Sequence, residues 1–305
     1  MQNAFIRWLS GTPPLVIGAW WDEAAVCLVY IDRTRAFPVV TCSYEPVASA
    51  AQSLESYQHL GLKNALRLAL DRLGRWPVVL ALGVPAAEVF TKTTVAPAGL
   101  DDEELAQLCL VEAVVNLPVP PEEVCADFLR DAAQDGETQA QVRIAFCRRE
   151  IVDELILTAE DAGTSLAVVD RDAQAIHDAT QWLMEAWASY KTTYPLAILL
   201  ETEPMSILIA RDELDLVQYV VTTEDIDLVA QIGLCMRRSG IADHDGLKRI
   251  VILQNPSSEP VSVAGLDGLG VECCHLNPFK LLKLSDDVPV IALMTALGMA
   301  LRNAA

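Results

Sequence analysis

The sequence predicts an α/β protein in which a β-β-β-α-β unit occurs twice, with a small α/β insertion after the first copy. Three observations predict it. Short apolar runs separated by turn residues come in the same order in both halves of the chain. A different pattern, an alternating strand, an acid-capped helix and two more strands, stands between the halves. The length of 305 residues suits about two domains, and an apolar fraction of 52% excludes a disordered chain.

Leu15 to Gly18 and Ala24 to Ile31 are apolar runs interrupted at Trp20 to Glu23, which reads as strand, turn, strand. Ala36 to Tyr44 adds a third strand. Ser53 to Leu73 places Leu62, Ala65, Leu66 and Leu70 at helical spacing, and Trp76 to Leu82 is a buried strand. In the insertion, Ala87 to Val95 alternates as a strand does. Asp101 with Glu104 three residues on marks a helix start, because short carboxylates satisfy open first-turn N–H groups. That helix stops near Val115 at the proline run Asn116 to Pro121. Val124 to Arg130 and Gln141 to Cys147 are two further strands. A helix over Arg149 to Ala162 ends at Gly163, and a strand (Ser165 to Asp170) and a helix (Ala173 to Tyr190) follow.

The second half repeats the order. Ala197 to Leu200, Met205 to Ala210 and Leu214 to Val221 are strands, with a turn at Glu203-Pro204. Asp225 to Ser239 is a helix, Arg249 to Gln254 and Leu269 to Cys274 are strands, and Val288 to Arg302 is the last helix. Two such units with a cleft between them describe the actin-like, or ribonuclease-H-like, architecture. The expected division is residues 12–83 and 148–192 for the first lobe, 84–147 for the inserted subdomain and 193–305 for the second lobe.

Charge narrows the function classes. The chain carries 22 basic and 42 acidic residues, a net charge of -20. Phosphate recognition needs clustered Lys and Arg, so the bulk surface does not suit nucleic acid. An anionic membrane face repels it unless a partner holds it there. The longest apolar stretch, Pro289 to Leu301, falls short of the ~20 residues that span a bilayer. No signal peptide is legible at the N-terminus, so the expected location is cytoplasmic. The eight cysteines then read as reduced core residues, Cys27, Cys109, Cys147 and Cys235 among them.

The run Val84 to Phe128 holds a strand with Thr-Lys-Thr, a proline, an acid-opened helix and a proline break before a strand. Val142 to Ile176 continues with a helix, an Ala-Gly turn and a strand ending in Val-Val-Asp, and Asn277 to Phe279 reads NPF before the final apolar helix. In that joint order the chain resembles the PilM family, the cytoplasmic actin-like proteins of type IV pilus assembly. Related modules belong to the MSHA pilus, to competence systems and to the type II secretion protein GspL.

The resemblance implies a nucleotide site, and here the chain departs from the family. The family's first phosphate loop, Gly-x-Asp-x-Gly followed by a Lys, corresponds to Val16 to Val29. Gly18 is kept, while the Asp falls on Trp20, the second Gly on Asp22 and the Lys on Cys27. Asp22 and Glu23 put negative charge where a triphosphate would lie, and like charges ~4 Å apart repel by about 4 kcal/mol at an effective dielectric of ~20. In the second loop the Asp and Gly positions are Leu200 and Thr202, although a one-residue shift would bring in Glu201 as a metal ligand. The adenosine loop, a Gly-Gly in the family, reads Gln254-Asn255-Pro256. The expectation is no cofactor, no ATP hydrolysis and no enzyme activity.

Other polar clusters have plainer readings. Cys273 and Cys274 are adjacent, so on a strand they point to opposite faces; with His275 they read as thiols at a strand end and not as a metal site. Asp243 to Gly246 reads as a solvated turn, and Asp101 to Glu104 as a helix start. Phe5, Arg7 and Trp8 form either a short amphipathic foot on a membrane or a tail.

Three readings follow. In the first the protein is a non-enzymatic scaffold, peripheral to the inner membrane through a partner. The resemblance implies that this partner is the cytoplasmic N-terminal peptide of a PilN-like membrane protein. Its lining on this chain would be Leu108, Val111, Glu112, Val115, Asn116, Leu117 and Pro118. Leu108, Val111 and Val115 share a helix face, which either meets the peptide or packs on the insertion's own strands. In the second reading the protein is an actin-like ATP-binding protein with an altered site. In the third it is the cytoplasmic module of a type II secretion or competence machine.

Overall fold

The computed structural model describes residues 15–22, 24–32, 38–47, 55–74, 78–85, 88–130, 138–187, 196–202, 205–211, 216–222, 230, 234, 249–253, 255 and 272–302. The chain divides into two compact units, one of Met1–Gly83 with Thr158–Ala305 and one of Val84–Leu157.

The larger unit holds two five-stranded sheets. The first contains β1 (Leu15–Trp21), β2 (Ala25–Asp32), β3 (Val39–Pro46), β4 (Val78–Val84) and β8 (Ser165–Arg171), in the order β3-β2-β1-β4-β8. The second contains β9 (Leu196–Thr202), β10 (Met205–Arg211), β11 (Leu216–Thr222), β12 (Arg249–Leu253) and β13 (Glu272–Leu276), in the order β11-β10-β9-β12-β13. β1 runs antiparallel to β2 and parallel to β4, and β9 stands in the same relation to β10 and β12. The repeat read from the sequence is therefore a repeat of sheet topology. Each sheet joins a fifth strand, β8 or β13, to the four of the β-β-β-α-β unit.

One expectation changes at the first hairpin. Trp20 and Trp21 do not belong to the interruption: they continue β1 and pair with Cys27 and Val26. Aromatic residues suit a pleated, half-buried surface, so the ladder runs on until Asp22 turns the chain.

Helix α1 (Glu55–Leu73) covers β2 and β3. Helices α4 (Asp172–Trp187) and α6 (Val290–Arg302) lie against each other, and α6 also packs on β1 and β2. Positions 290 and 292–300 of α6 are all buried, which is why this helix is apolar all round. The NPF run before it builds a short helix, α5 (Pro278–Leu282). Asn277 caps it by accepting from the Lys280 N–H, Pro278 takes a first-turn position whose N–H needs no partner, and Phe279 is buried.

The smaller unit holds β5 (Phe90–Pro97), α2 (Asp102–Asn116), β6 (Val124–Arg130), β7 (Gln139–Arg148) and the start of α3 (Arg149–Asp161). Its sheet is antiparallel in the order β5-β7-β6. Ala96, Val124, Val142, Ile144 and Phe146 of the strands pack with Leu105, Cys109, Ala113 and Leu117 of the helix segment as a core of its own. The predicted capping box is present: Asp101 Oδ1 accepts from the Glu104 N–H (2.9 Å), and Glu104 Oε2 accepts from the Asp101 N–H (3.0 Å). After α3 the chain turns at Gly163, where φ is +86° and a side chain would be strained.

The N-terminal Phe5, Arg7 and Trp8, the turn at Glu203-Pro204, most of the helix expected over 225–239, and Asp243 to Gly246 lie outside the described residues.

Candidate functional site

At the first phosphate-loop run, Gly18 and Trp20 lie within β1 and Cys27 lies within β2, so only Asp22 stands at the turn itself. A Cβ on Gly18 would fall inside van der Waals contact of the Ala296 carbonyl oxygen and the Ala300 nitrogen of α6. This glycine lets a helix backbone approach the strand. The Asp22 carboxylate folds back on its own turn: Oδ1 accepts from the N–H groups of Ala24 (2.7 Å) and Ala25 (2.8 Å). Those backbone donors are the kind that would cradle a phosphate, and a carboxylate already holds them. Cys27 is fully buried, and its Sγ lies 3.7 Å from that of Cys42. The contact with Cys42 and burial both push the Cys27 thiol well above its ordinary value, so it stays neutral.

In the second loop Leu200 pairs with Ile207 and Thr202 with Met205 across the β9–β10 hairpin. At the adenosine-loop position Asn255 serves the fold. Its Oδ1 accepts from the Val290 N–H (2.8 Å), satisfying a donor at the start of α6. Cys273 and Cys274 occupy successive positions of β13, paired with Ile250 and Val251, and are both half-buried.

The second set of residues lies along α2 and its proline break. Leu105, Cys109 and Ala113 turn into the core of the smaller unit, and Leu108 is half-buried beside them. Val111 and Val115 are 63% and 77% exposed, so neither packs on the unit's own strands. Glu112 is half-buried and bonded to Lys92 Nζ of β5 at 2.6 Å. Asn116 folds back to donate to the Glu112 carbonyl, and Pro118 is exposed. Leu117 is buried in the unit's core and offers no surface.

With both sites located, the chain can be set against known proteins. The model of the family described as type IV pilus assembly protein PilM matches residues 22–213, well over half of the chain. This chain belongs to the PilM family. The match takes in the whole of α2 and begins downstream of Gly18 and Trp20. Among solved structures, a chain of a PilM-PilN type IV pilus biogenesis complex is similar at 17% identity, with a TM-score of 0.66, covering 94% of this chain and 98% of that one. The cytoplasmic domain of EpsL, an inner-membrane component of the Vibrio cholerae type II secretion system, is similar at 10% identity, with a TM-score of 0.50, covering 88% and 92%. These likenesses show the fold, which is actin-like.

Three features of this PilM-family chain escaped the sequence reading. Lys92 was legible only as part of Thr-Lys-Thr, and its bond to Glu112 joins positions 20 residues apart. Phe90, 48% exposed, stacks on Phe146 with ring centroids 5.7 Å apart. The third is an ion cluster at the end of α6, where Arg302 Nη2 lies 2.9 Å from Asp170 and 3.2 Å from Asp178, and His177 Nδ1 lies 3.4 Å from Asp178. Burial pushes the Asp178 carboxyl up, but the His177 contact, the Arg302 charge and Gln174 outweigh it and hold its pKa below the ordinary value. Nothing in the local sequence announces this cluster, since its members come from β8, α4 and α6.

Proposed function

We propose that this protein is a non-enzymatic assembly scaffold of a type IV pilus machine, recruited to the inner membrane by the N-terminal cytoplasmic peptide of a PilN-like protein. The carrying observation is the PilM-family match over residues 22–213. A solved relative of the same fold comes from a PilM-PilN complex, which supports that choice of partner. Among the described residues no helix is long and apolar enough to cross a membrane, so a membrane partner gives this acidic chain a route to the bilayer.

The exposed pair Val111 and Val115, with Leu108 beside them, supplies apolar anchor points for a peptide of about ten residues. Such a peptide buries less than the ~800 Å² per partner of a standard interface, so a few anchors carry most of its affinity. The test is a pull-down of the chain by the N-terminal cytoplasmic peptide of a candidate PilN-like partner. Wild type is expected to bind, and Val111→Asp and Glu112→Arg to bind more weakly. If both variants fold and bind as wild type does, the lining is wrong; if wild type binds no such peptide, the scaffold reading loses its support.

The absence of nucleotide chemistry belongs to the same proposal. The carboxylate of Asp22 on the turn amides, the buried thiol of Cys27 and the helix over Gly18 each support it. Titration calorimetry at millimolar Mg-ATP is expected to give no binding heat, and micromolar binding weakened by changes around Gly18 would overturn this.

A further inference from the structure

We propose that Cys125 and Cys147 form an oxidisable dithiol site, which a small disulfide converts reversibly into a cross-strand bridge that pins β6 to β7. The two residues stand directly opposite each other in the register of these strands. Their neighbours fix the ladder on both sides, Val124 lying opposite Arg148 and Ala126 opposite Phe146. Arg149 holds the same strand end. Its Nε donates to the Glu122 carbonyl at 2.7 Å and its Nη2 to the Val124 carbonyl at 2.9 Å.

The spacing suits a bridge. The Ala98 N–H donates to the Thr138 carbonyl, one step beyond Pro97 opposite Gln139 in the β5–β7 register. Even-numbered residues of β7 therefore bond to β5, and odd-numbered ones such as Cys147 bond to β6. A hydrogen-bonded antiparallel pair has Cα atoms about 5.5 Å apart, inside the range of about 4.4–6.8 Å that a disulfide spans. Side chains alternate along a strand. Val124, Ile144 and Phe146 turn into the core under α2, so Cys125 and Cys147 share the opposite face, clear of the helix.

Other close thiols are not built this way. Cys27 and Cys42 touch at 3.7 Å, but Cys27 lies opposite Tyr44 and Cys42 opposite Val29. Such diagonal positions are about 7–8 Å apart, too far for a bridge without backbone movement. Cys273 and Cys274 are successive residues of β13 and point to opposite faces.

The exchange consumes two protein thiols and one disulfide RSSR, and yields the protein disulfide and two RSH. The half-buried Cys125 meets the oxidant first; its thiolate attacks one sulfur of RSSR, and RS⁻ leaves. Cys147 is 9% exposed, and burial, then Cys125 and Glu88, push its thiol up to about 11. It is the resolving thiol: once deprotonated, it attacks the Cys125 sulfur of the mixed disulfide and releases the second RS⁻. The protons of the two protein thiols end on the two RS⁻ groups.

The experiment treats the full chain with glutathione disulfide and maps its cysteines by non-reducing peptide mass spectrometry. The free-thiol count is expected to fall by two, with Cys125 linked to Cys147, and to recover with dithiothreitol. Closing this loop restricts the unfolded chain. The bridged protein is therefore expected to show a higher urea midpoint by far-UV circular dichroism, a shift that Cys125→Ser and Cys147→Ala each abolish. The mapping on wild type stands even where a variant misfolds. Thiols that stay free, a Cys125 that stops at the mixed disulfide, or a bridge between other cysteines overturns the site. A bridge that leaves the midpoint unchanged overturns the pinning of β6. No partner enters these measurements, so their failure leaves the scaffold reading standing.

Discussion

At Gly18 the lack of a side chain lets the backbone of α6 lie against β1, and a Cβ there has no room beside Ala296 and Ala300. Gly18→Ala is therefore expected to destabilise the fold by about 1–3 kcal/mol through overpacking, read as a lower urea midpoint. The sequence marked this residue as the remnant of a phosphate loop, because a lone glycine between apolar neighbours reads alike in a loop and in a helix-packed strand. Asp178 gives a prediction in pH. Its folded pKa is lowered, so the stability it contributes is present above the ordinary value of about 3.9 and is lost as pH falls through the folded value. Asp178→Asn is expected to lose less stability than wild type between neutral pH and about pH 3, measured by urea denaturation at each pH.

At the scale of the element, α2 was the most legible part of the chain. Its acidic start, proline stop and buried spacing Leu105, Cys109 and Ala113 all lie in local sequence, and the helix runs Asp102–Asn116 as these signals require. Asp101→Ala removes the acceptor of the capping box and is expected to cost about 1 kcal/mol, seen as a lower denaturation midpoint with an unchanged slope. Periodicity alone could not divide Leu108, Val111 and Val115 between core and surface. Three- and four-residue steps place them on one broad face, but how far that face turns under depends on which strand the helix crosses. Here it crosses β6, and the Lys92–Glu112 bond reaches over to β5.

For the whole molecule, the smaller unit has its own core and contains none of the six tryptophans. Tryptophan fluorescence therefore reports on the larger unit alone, while far-UV circular dichroism reports on both. Ile144→Ala, buried in the small core, is expected to cost about 2–5 kcal/mol there. The circular dichroism transition should broaden or shift down while the fluorescence midpoint stays, and a single coincident shift of both would show that the units unfold as one. The sequence by itself determined the strand and helix order, the duplication and the family, because hydrophobic period, caps and prolines act within a few residues of where they are written. Only the tertiary structure decided what Gly18, Asp22, Asn255 and Arg302 do. Each acts through hydrogen bonds, ion pairs or close approaches to particular partners. For Gly18, Asn255 and Arg302 those partners lie far along the chain, and folding, not spacing, brings them into reach.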